Sequence, residues 1–594
     1  MQNEFGIEKW RLKMEVKNIK KIPIGIDDFN ELVSSENNFL FVDKSLLIKE
    51  LIDQGPKVSL ITRPRRWGKT LNLSMLQYFF SPTINGQSTK PLFENLKIAS
   101  VDNGYYMQYQ GEHPTIFMSF KNVKENSYED FIDAVRLLIQ QVCDTFPELA
   151  TSSKLTDINF NDLEKLKGVN KENWANEVQL RSALNTISSL LFKHYNKRVI
   201  ILIDEYDTPL NSAYNKPYFE AMVDFLRGLF GAALKGNQAL EKGVITGILR
   251  LSKNRMLSDL NNLTLYSFIE SRYSEHFGFF ESDVKTLLKA RDLDIDMKEI
   301  KRWYNGYKAG NFEELYNPWS ILNCIMDNGQ LKPYWIKTGN ESLLKDVILN
   351  SNDQVKEKMT TLLTGNAIEC IVDEYISFEQ IKEGNNQVLW SLLWALGYLK
   401  TTGEIIPFGA GYQCQLKTPN VEIDASYRHI FLTLIEDLNK SGHYYSFIKN
   451  LVLGNIAEFT KDLEEFMLVN TSFFDFTHES NYHIMLLTLI SSLKETHNIY
   501  SNKESGLGKP DIVLIPRLVT NDLGLILELK RTKIKQKNKV YEQLAEVGLA
   551  QIDAGKYDAT FKQFSHIKRV LKVVFVFYGK QFLCKTSLEW RPHQ

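Results

Sequence analysis

Two short runs of this 594-residue chain carry residue types that could do chemistry. The first is Thr62-Arg63-Pro64-Arg65-Arg66-Trp67-Gly68-Lys69-Thr70. It lies between the apolar stretch Val58-Ser59-Leu60-Ile61 and a stretch from Leu71 to Phe80 with apolar residues at helical spacing. A strand, a turn and a helix in that order aim backbone N–H groups and a helix N-terminus at one point, which is where a phosphate cradle belongs. Arg66, Trp67 and Gly68 then form the turn, Lys69 reaches the β- and γ-phosphates of a nucleotide, and the Thr70 hydroxyl ligates Mg²⁺. The pattern GxxxxGK[ST] asks for glycine where this chain has Arg63, so the loop has to open without its most permissive residue. The plainer reading of such a run is a basic turn before a helix.

A second element raises the cradle above that reading. The apolar run Val199 to Ile203 ends in Asp204-Glu205-Tyr206-Asp207. A buried strand that delivers acids at its end is costly unless they are used, and the carboxyl end of a parallel strand faces the ligand crevice. Asp204 would hold Mg²⁺ through water, and Glu205 would orient or deprotonate an attacking water. Together the two elements predict ATP binding and hydrolysis. Thr246, on the strand Gly243 to Leu249, is placed like a polar sensor of the γ-phosphate. Arg250 or Arg255 could supply an arginine finger, against the plainer reading of a surface arginine.

The second run is KESGLGKPDIVLIPRLVTNDLGLILELKR, residues 503–531. Asp511 starts one strand, and Glu528-Leu529-Lys530 ends the next. In an antiparallel hairpin those ends meet. Glu528 and Lys530 are two residues apart and share a sheet face. Two carboxylates and a lysine on one face can bind a hard divalent cation and stabilise charge on a phosphate in transfer. A salt-bridged hairpin is the alternative, but Leu525-Ile526-Leu527 bring Glu528 out of a buried strand. Lysines 530, 533, 535, 537 and 539 with Arg531 form a basic strip. Residues 503–594 hold seventeen Lys/Arg against nine Asp/Glu, a local excess of +8 that suits phosphate-backbone contacts.

The runs RPRRWGKT, ILIDEYDTPL, WYNGYK and YNPWSILN, in that order, resemble the bacterial AAA-ATPase-like family over roughly residues 20–260, with motifs continuing to about 335. That family usually has arginine where the first P-loop glycine would be, so the resemblance accommodates Arg63 and implies ATP binding. Pro510-Asp511 with Glu528-Leu529-Lys530 resembles the PD-(D/E)XK nuclease superfamily, a domain often carried at the C-terminus of these ATPases. That resemblance implies a metal-side role for Glu479 and an orienting role for Gln551, with Tyr557 a weaker candidate. At Glu479 the competing reading is an acid favoured by a helix N-terminus. His483 is within reach of the same site, though a packing histidine is the plainer reading.

The elements that must position these groups fall into an ordered series. Strands and helices alternate through residues 58–249, which implies a parallel sheet covered by helices. Thr115 to Phe120 is a further strand and Tyr128 to Phe146 a helix. Residues 151–176 read as a polar, irregular insertion, and Val178 to Tyr195 as one helix. Residues 255–340 are mainly helical and aromatic; Trp303, Tyr304, Tyr307, Tyr316 and Trp319 read as lid packing rather than a stacking platform. Residues 341–420 read as a helical module closed by a hairpin, with a helix from Val388 to Leu399. A long helical stretch is expected from Tyr427 to Leu468. A helix from Tyr482 to Glu495, strands at 511–516, 524–529 and 571–577, and a helix from Tyr541 to Ala554 complete the second α/β unit.

The fold class is therefore α/β: a P-loop sheet with a helical lid, a winged-helix-like middle module and a C-terminal α/β nuclease-like unit. The divisions are an N-terminal lead at 1–20, the ATPase core at 21–255, the lid at 256–340, the middle module at 341–420 and the nuclease-like domain at 421–594. Composition agrees with a globular chain: 43 % apolar, 24 % charged, net charge −1. A near-neutral balance excludes an overall basic coat but not a basic groove. Five cysteines without a CxxC pair fit a reducing compartment. Met1 to Lys21 has no apolar core segment, and no stretch reaches a membrane-spanning length, so a cytoplasmic protein without a membrane partner is expected. The expected function is an ATP-binding, ATP-hydrolysing protein with a Mg²⁺-dependent nuclease acting on DNA or RNA. The alternative is a nucleotide-switched binding or signalling protein whose nuclease-like domain is silent. A homo-oligomer is compatible with either, and no residue pattern sets the oligomeric state.

Overall fold

The computed structural model describes residues 20–591 other than 85, 169–173, 252–259, 336–352, 364, 377–379, 381–385, 428–443, 470–478, 491–492, 494–495, 502–506 and 535–538. Strands β1 (Val58–Thr62), β2 (Thr115–Ser119), β3 (Val199–Asp204), β4 (Leu240–Gly247) and β5 (Leu263–Tyr266) form a parallel sheet in the order β2-β3-β4-β1-β5. Every residue of β1 and β3 is buried, which is why both read as unbroken apolar runs. Helices α1 (Lys69–Phe80), α2 (Tyr128–Asp144), α3 (Ala183–Tyr195) and α4 (Phe219–Leu234) pack against the sheet.

Three features of this unit depart from the sequence reading. Residues 151–176 contain a helix, Asp157–Lys167, opened by Asn159, whose side-chain oxygen accepts the Thr156 N–H at 3.3 Å, and tucked against α2 by Leu163 and Leu166. The stretch Val178 to Tyr195 is two helices, broken where the Ser182 hydroxyl turns back onto the Val178 and Gln179 carbonyls. β5 falls within a stretch read as helical, because four residues at a sheet edge are too few to show a period.

Helices α5 (Glu281–Ala290), α6 (Met297–Tyr304) and α7 (Pro318–Met326) then build a cap around its own apolar cluster, including Val284, Ile300, Tyr304, Tyr316 and Ile321. A hairpin, Tyr307–Ala309 with Phe312–Leu315, lies between α6 and α7. Helix α8 (Asn386–Ala395) accompanies an antiparallel sheet of β6 (Ile368–Val372), β7 (Lys400–Phe408) and β8 (Gly411–Lys417), ordered β6-β8-β7. This module is stitched to the unit around the parallel sheet by a short parallel pairing of Tyr375–Ile376 with Arg250–Leu251.

Residues 421–427 are helical. Of the helical stretch expected from Tyr427 to Leu468, 428–443 lie outside the described residues, and the remainder is α9 (Tyr444–Leu453) and α10 (Ile456–Val469), separated where Gly454 turns left-handed at φ 80°. After α11 (Glu479–Ile490) comes a mixed sheet of β9 (His497–Ser501), β10 (Ile512–Pro516), β11 (Leu523–Arg531), β12 (Arg569–Tyr578) and β13 (Gln581–Trp590), in chain order. Only β11 and β12 run parallel, across α12 (Lys539–Ala554). The polar edge strands β9 and β13 are additions to the sequence reading. Alternation sorts this sheet: Ile512, Leu514, Leu525, Leu527 and Leu529 join the cluster that holds Tyr482 of α11, while Val513, Ile515 and Ile526 meet Tyr541, Ala545 and Ile552 of α12. Among the described residues no helix is long and apolar enough to cross a membrane.

Candidate functional site

The turn after β1 takes its shape from residues other than the one the glycine pattern singles out. Arg63 has no left-handed backbone, and its N–H donates to the Gly247 carbonyl at 3.1 Å, so the strand continues one residue further. Its guanidinium is buried and donates to the carbonyls of Thr62 (2.7 Å) and Tyr266 (2.9 Å) and to Ser274 Oγ (3.2 Å). The rings of Phe268 and Phe277 lie 5.4 and 5.2 Å from it. Burial lowers its proton affinity to about 9, which leaves it a cation at neutral pH. The left-handed positions are Arg66 (φ 69°) and Gly68 (φ 77°). Trp67 is a plug: its indole meets Phe268 and Tyr307 edge-on at 5.1 and 5.0 Å, and a Cβ on Gly278 would lie 2.5 Å from it.

Lys69 is buried and donates to the Arg63 and Pro64 carbonyls, each at 3.0 Å. Burial lowers its pKa, opposed by Glu205, Asp204 and Asp207. Thr70 Oγ1 donates to Asp204 Oδ2 at 2.8 Å, and Thr246 Oγ1 donates to Asp204 Oδ1 at 2.6 Å. Burial raises the Asp204 pKa, and those two hydroxyls oppose the rise. Thr246 thus spends its hydroxyl on orienting Asp204. Glu205 sits at φ 48° with its carboxylate accepting from Thr208 Oγ1 at 3.1 Å.

Lys69, Thr70 and Glu205 border a cavity of about 470 Å³. Lys44, Arg65, Arg66, Lys69, Lys121 and Lys124 face it against only Asp27 and Glu205, a surplus of cations that suits a polyphosphate. Phe41, Phe279, Pro318, Trp319 and Leu322 give it an apolar wall of the kind that holds a ring.

In the C-terminal sheet, period-two alternation puts Asp511, Glu528 and Lys530 on the α12 side. Asp511 Oδ2 accepts the Leu529 N–H at 2.8 Å, which sets the two strand ends against each other. Lys530 Nζ donates to Glu528 Oε1 at 2.8 Å and to Gln551 Oε1 at 2.7 Å. Because an ammonium can only donate, the Gln551 amide must turn its oxygen to Lys530, and its Nε2 donates to Tyr557 Oη at 3.2 Å. His483 Nε2 lies 3.1 Å from the Asp511 carbonyl oxygen, so it touches the site through the backbone.

Glu528 is only 2 % exposed, and its Oε2 finds no hydrogen-bond partner among the described residues. Burial first and Asp511 second push its pKa up to about 7, against the pull of Lys530. A buried carboxylate with one idle oxygen, beside a second carboxylate, is a donor set that a hard divalent cation completes. The residues fit a metal.

Residues 23–257 match the family described as Predicted AAA-ATPase, and residues 477–587 match the PD-(D/E)XK nuclease superfamily. The chain joins an AAA-ATPase-like domain to a PD-(D/E)XK nuclease superfamily domain. The matches suggest an ATPase role and a nuclease role. A protein of Azotobacter chroococcum mcd 1, described as an uncharacterized protein in the vnfD 5' region, is 27 % identical over 414 residues, which is 70 % of each chain. No solved structure matches the chain.

In the AAA-ATPase-like domain the structure brings Lys69, Thr70, Asp204 and Thr246 together, with Glu205 on the cavity wall. In the nuclease domain it brings Asp511, Glu528, Lys530, Gln551 and Tyr557 together. Trp67 anchors the turn with its ring in the core. Arg250 lies in the short strand after β4, with its side chain outside the described residues, as are Arg255, Lys535 and Lys537. Glu479 is the first residue of α11, and its side chain is likewise not described. Sequence reasoning passed over Asp207, which is fully buried and accepts the Ile248 and Leu249 N–H groups at 3.0 Å each, fixing the chain as it leaves β4. Its signal was present: it is the third acid of a run in which only the first two were given work.

Restoring the pattern's glycine should harm the protein. Arg63→Gly removes three buried charge-assisted hydrogen bonds, and an expected loss of about 2 kcal/mol or more will move the first transition in urea to lower concentration, with no gain in nucleotide affinity. Tighter nucleotide binding without destabilisation would refute this account of the loop. A second expectation concerns pH. The folded chain holds the Glu528 proton up to about 7, whereas an unfolded chain releases it near about 4.3. Stability from this group is thus fully present below the lower value and lost as pH rises to the upper one. In chelator, Glu528→Gln should therefore raise the melting temperature of the nuclease domain by about 2–5 °C at pH 8, with a smaller gain at pH 5. A gain that shrinks between pH 5 and 8 would contradict the assignment.

Proposed function

We propose that the protein is an ATP-dependent nuclease: it binds ATP with Mg²⁺ in the cavity at the ends of β1 and β3, hydrolyses it, and cuts DNA or RNA at the Asp511–Glu528–Lys530 site. The observation that carries the reading is the idle, buried Oε2 of Glu528 beside Asp511, with the Lys530 ammonium held by Glu528 and Gln551. A divalent cation at Asp511 and Glu528 would supply Lewis acidity and a water of lowered pKa. The +8 balance of residues 503–594 favours a phosphate backbone, which DNA and RNA share.

At the other site Lys69 and Arg66 would take the phosphates, Thr70 and Asp204 the nucleotide's Mg²⁺, and Glu205 the proton of the attacking water. In this reading the ATPase core runs from residue 21 to β5 and the cap continues to 340. The middle module spans 341–420 and the nuclease domain 421–594. The five free thiols suit the cytoplasm.

The test is cleavage of single- and double-stranded DNA and RNA by the full chain, with Mg²⁺ or Mn²⁺, with and without ATP. Cleavage should fall by more than about 100-fold in Glu528→Ala. Lys69→Ala should abolish nucleotide binding and any response to ATP. Intact nucleotide binding with no cleavage on any substrate would sink the nuclease reading and leave a nucleotide-switched binding protein.

A further inference from the structure

The aromatic motifs of the cap are not used by either site's chemistry, yet their residues tie the cavity to Asn420 and Glu422. Helix α7 opens with Asn317, whose side chain accepts the Trp319 and Ser320 N–H groups at 2.9 and 3.3 Å. The two residues it caps point to different places. Trp319 lines the cavity, and the Arg66 guanidinium of the phosphate turn lies 3.8 Å over its ring. Ser320 is fully buried and donates its hydroxyl to Glu422 Oε2 at 2.6 Å, across 102 residues of chain.

Glu422 belongs to the helical residues 421–427, on the path from the middle module into the C-terminal part of the chain. It is 1 % exposed, and no cation faces it among the described residues. Its other oxygen accepts the Trp335 N–H at 2.9 Å, while the Trp319 indole N–H donates to the Tyr334 carbonyl at 3.1 Å. Trp319 and Glu422 therefore grip adjacent residues of one segment. A second tie runs alongside: Asn420, which caps residues 421–427 by accepting the Ile423 N–H, donates its own amide to the Asn305 carbonyl at 2.9 Å.

We infer that α7 is a relay, through which nucleotide in the cavity is read by Trp319 and reported by Ser320 to Glu422 and the helical residues 421–427 that open the C-terminal part of the chain. The inference rests on the reading of the cavity as a nucleotide site. Its two states differ in Arg66. Phosphate oxygens would draw the in-plane N–H groups of the guanidinium toward the nucleotide and so change how its face meets the Trp319 ring. A ligand shifts an equilibrium only by contacts that differ between states, and this is such a contact. A carboxylate sealed from water and held by one hydroxyl and backbone N–H groups alone cannot lose a donor cheaply, so movement of α7 must carry residues 421–427 with it.

The experiment is hydrogen–deuterium exchange of the full chain, with and without a non-hydrolysable ATP analogue carrying a fluorescent ribose label. Binding of the analogue is measured on the same samples. In the wild type the analogue should change exchange of the 418–427 amides by about fivefold or more. Ser320→Ala should bind the analogue as the wild type does and lose that change. Glu422→Gln, which keeps the shape and removes the charge, should reduce it and serves if Ser320→Ala does not fold. Bound analogue with unchanged exchange at 418–427, or a full response in both variants, overturns the relay while sparing the nucleotide site. Failure of the wild type to bind the analogue removes the nucleotide reading and the relay together.

Discussion

A carboxylate at the end of a buried strand has to be hydrogen-bonded from its surroundings or it will not be charged. Asp204 meets that demand with hydroxyls drawn from three other elements: Thr70 in the first turn of α1, Thr246 on β4 and, at 3.4 Å, Ser119 of β2. The cost of burying one charge is thereby turned into a tie across the sheet at the edge where the cavity opens. Asp207 repeats the device three residues later on the backbone after β4. Arg63 applies it with the opposite sign, as a buried cation held by carbonyls, a hydroxyl and aromatic faces on the far side of the same loop. The turn after β1 is held by buried charges whose hydrogen-bond partners are neutral, and a loop fixed that way does not need glycine at its start.

The nuclease domain treats its buried acid differently. Glu528 also ends an apolar run, but its surroundings satisfy only one oxygen and place Asp511 close enough to oppose ionisation. Asp204 is nearly complete in itself; Glu528 is not. A cation bound there would have to displace the proton that the carboxyl holds up to pH about 7. Gln551 and Tyr557 bear on the same point, because they fix the ammonium of Lys530 without neutralising Glu528.

How much of this was legible in the sequence follows from the kind of signal each part leaves. Residues 58–70, 199–207 and 511–530 were readable because a fully apolar strand ending in charge is improbable without a use, and the period of two fixes which charges share a face. Short or polar elements left no such mark. β5 has four residues, β9 and β13 are edge strands with polar outer faces, and the helix Asp157–Lys167 commits only Leu163 and Leu166 to the core. The break at Ser182 depends on which carbonyls a hydroxyl can reach, and the burial of Trp67 on Gly278, Phe268 and Tyr307 joins residues some two hundred positions apart. Pairings at that separation are set by packing, which a single chain read in order does not display.

The cap motifs illustrate the same limit from the side of function. WYNGYK and YNPWSILN were read as aromatic packing, and much of them is: Tyr304 and Tyr316 are buried in the cap's own cluster. Their remaining residues face outward from that cluster in several directions. Tyr307 braces Trp67 and donates its hydroxyl to the Gly397 carbonyl of the middle module at 3.1 Å, the Asn305 carbonyl holds Asn420, and Trp319 faces the cavity. Gly397 in turn lies against Pro64 of the phosphate turn, where an added Cβ would sit 3.0 Å from its ring. The turn after β1 therefore has the cap on one side and the middle module on another. A loop packed in this way cannot change shape for a ligand without displacing one neighbour or the other, so any energetic coupling between the two ends of the chain has to pass through residues that a composition-based reading assigns to the core.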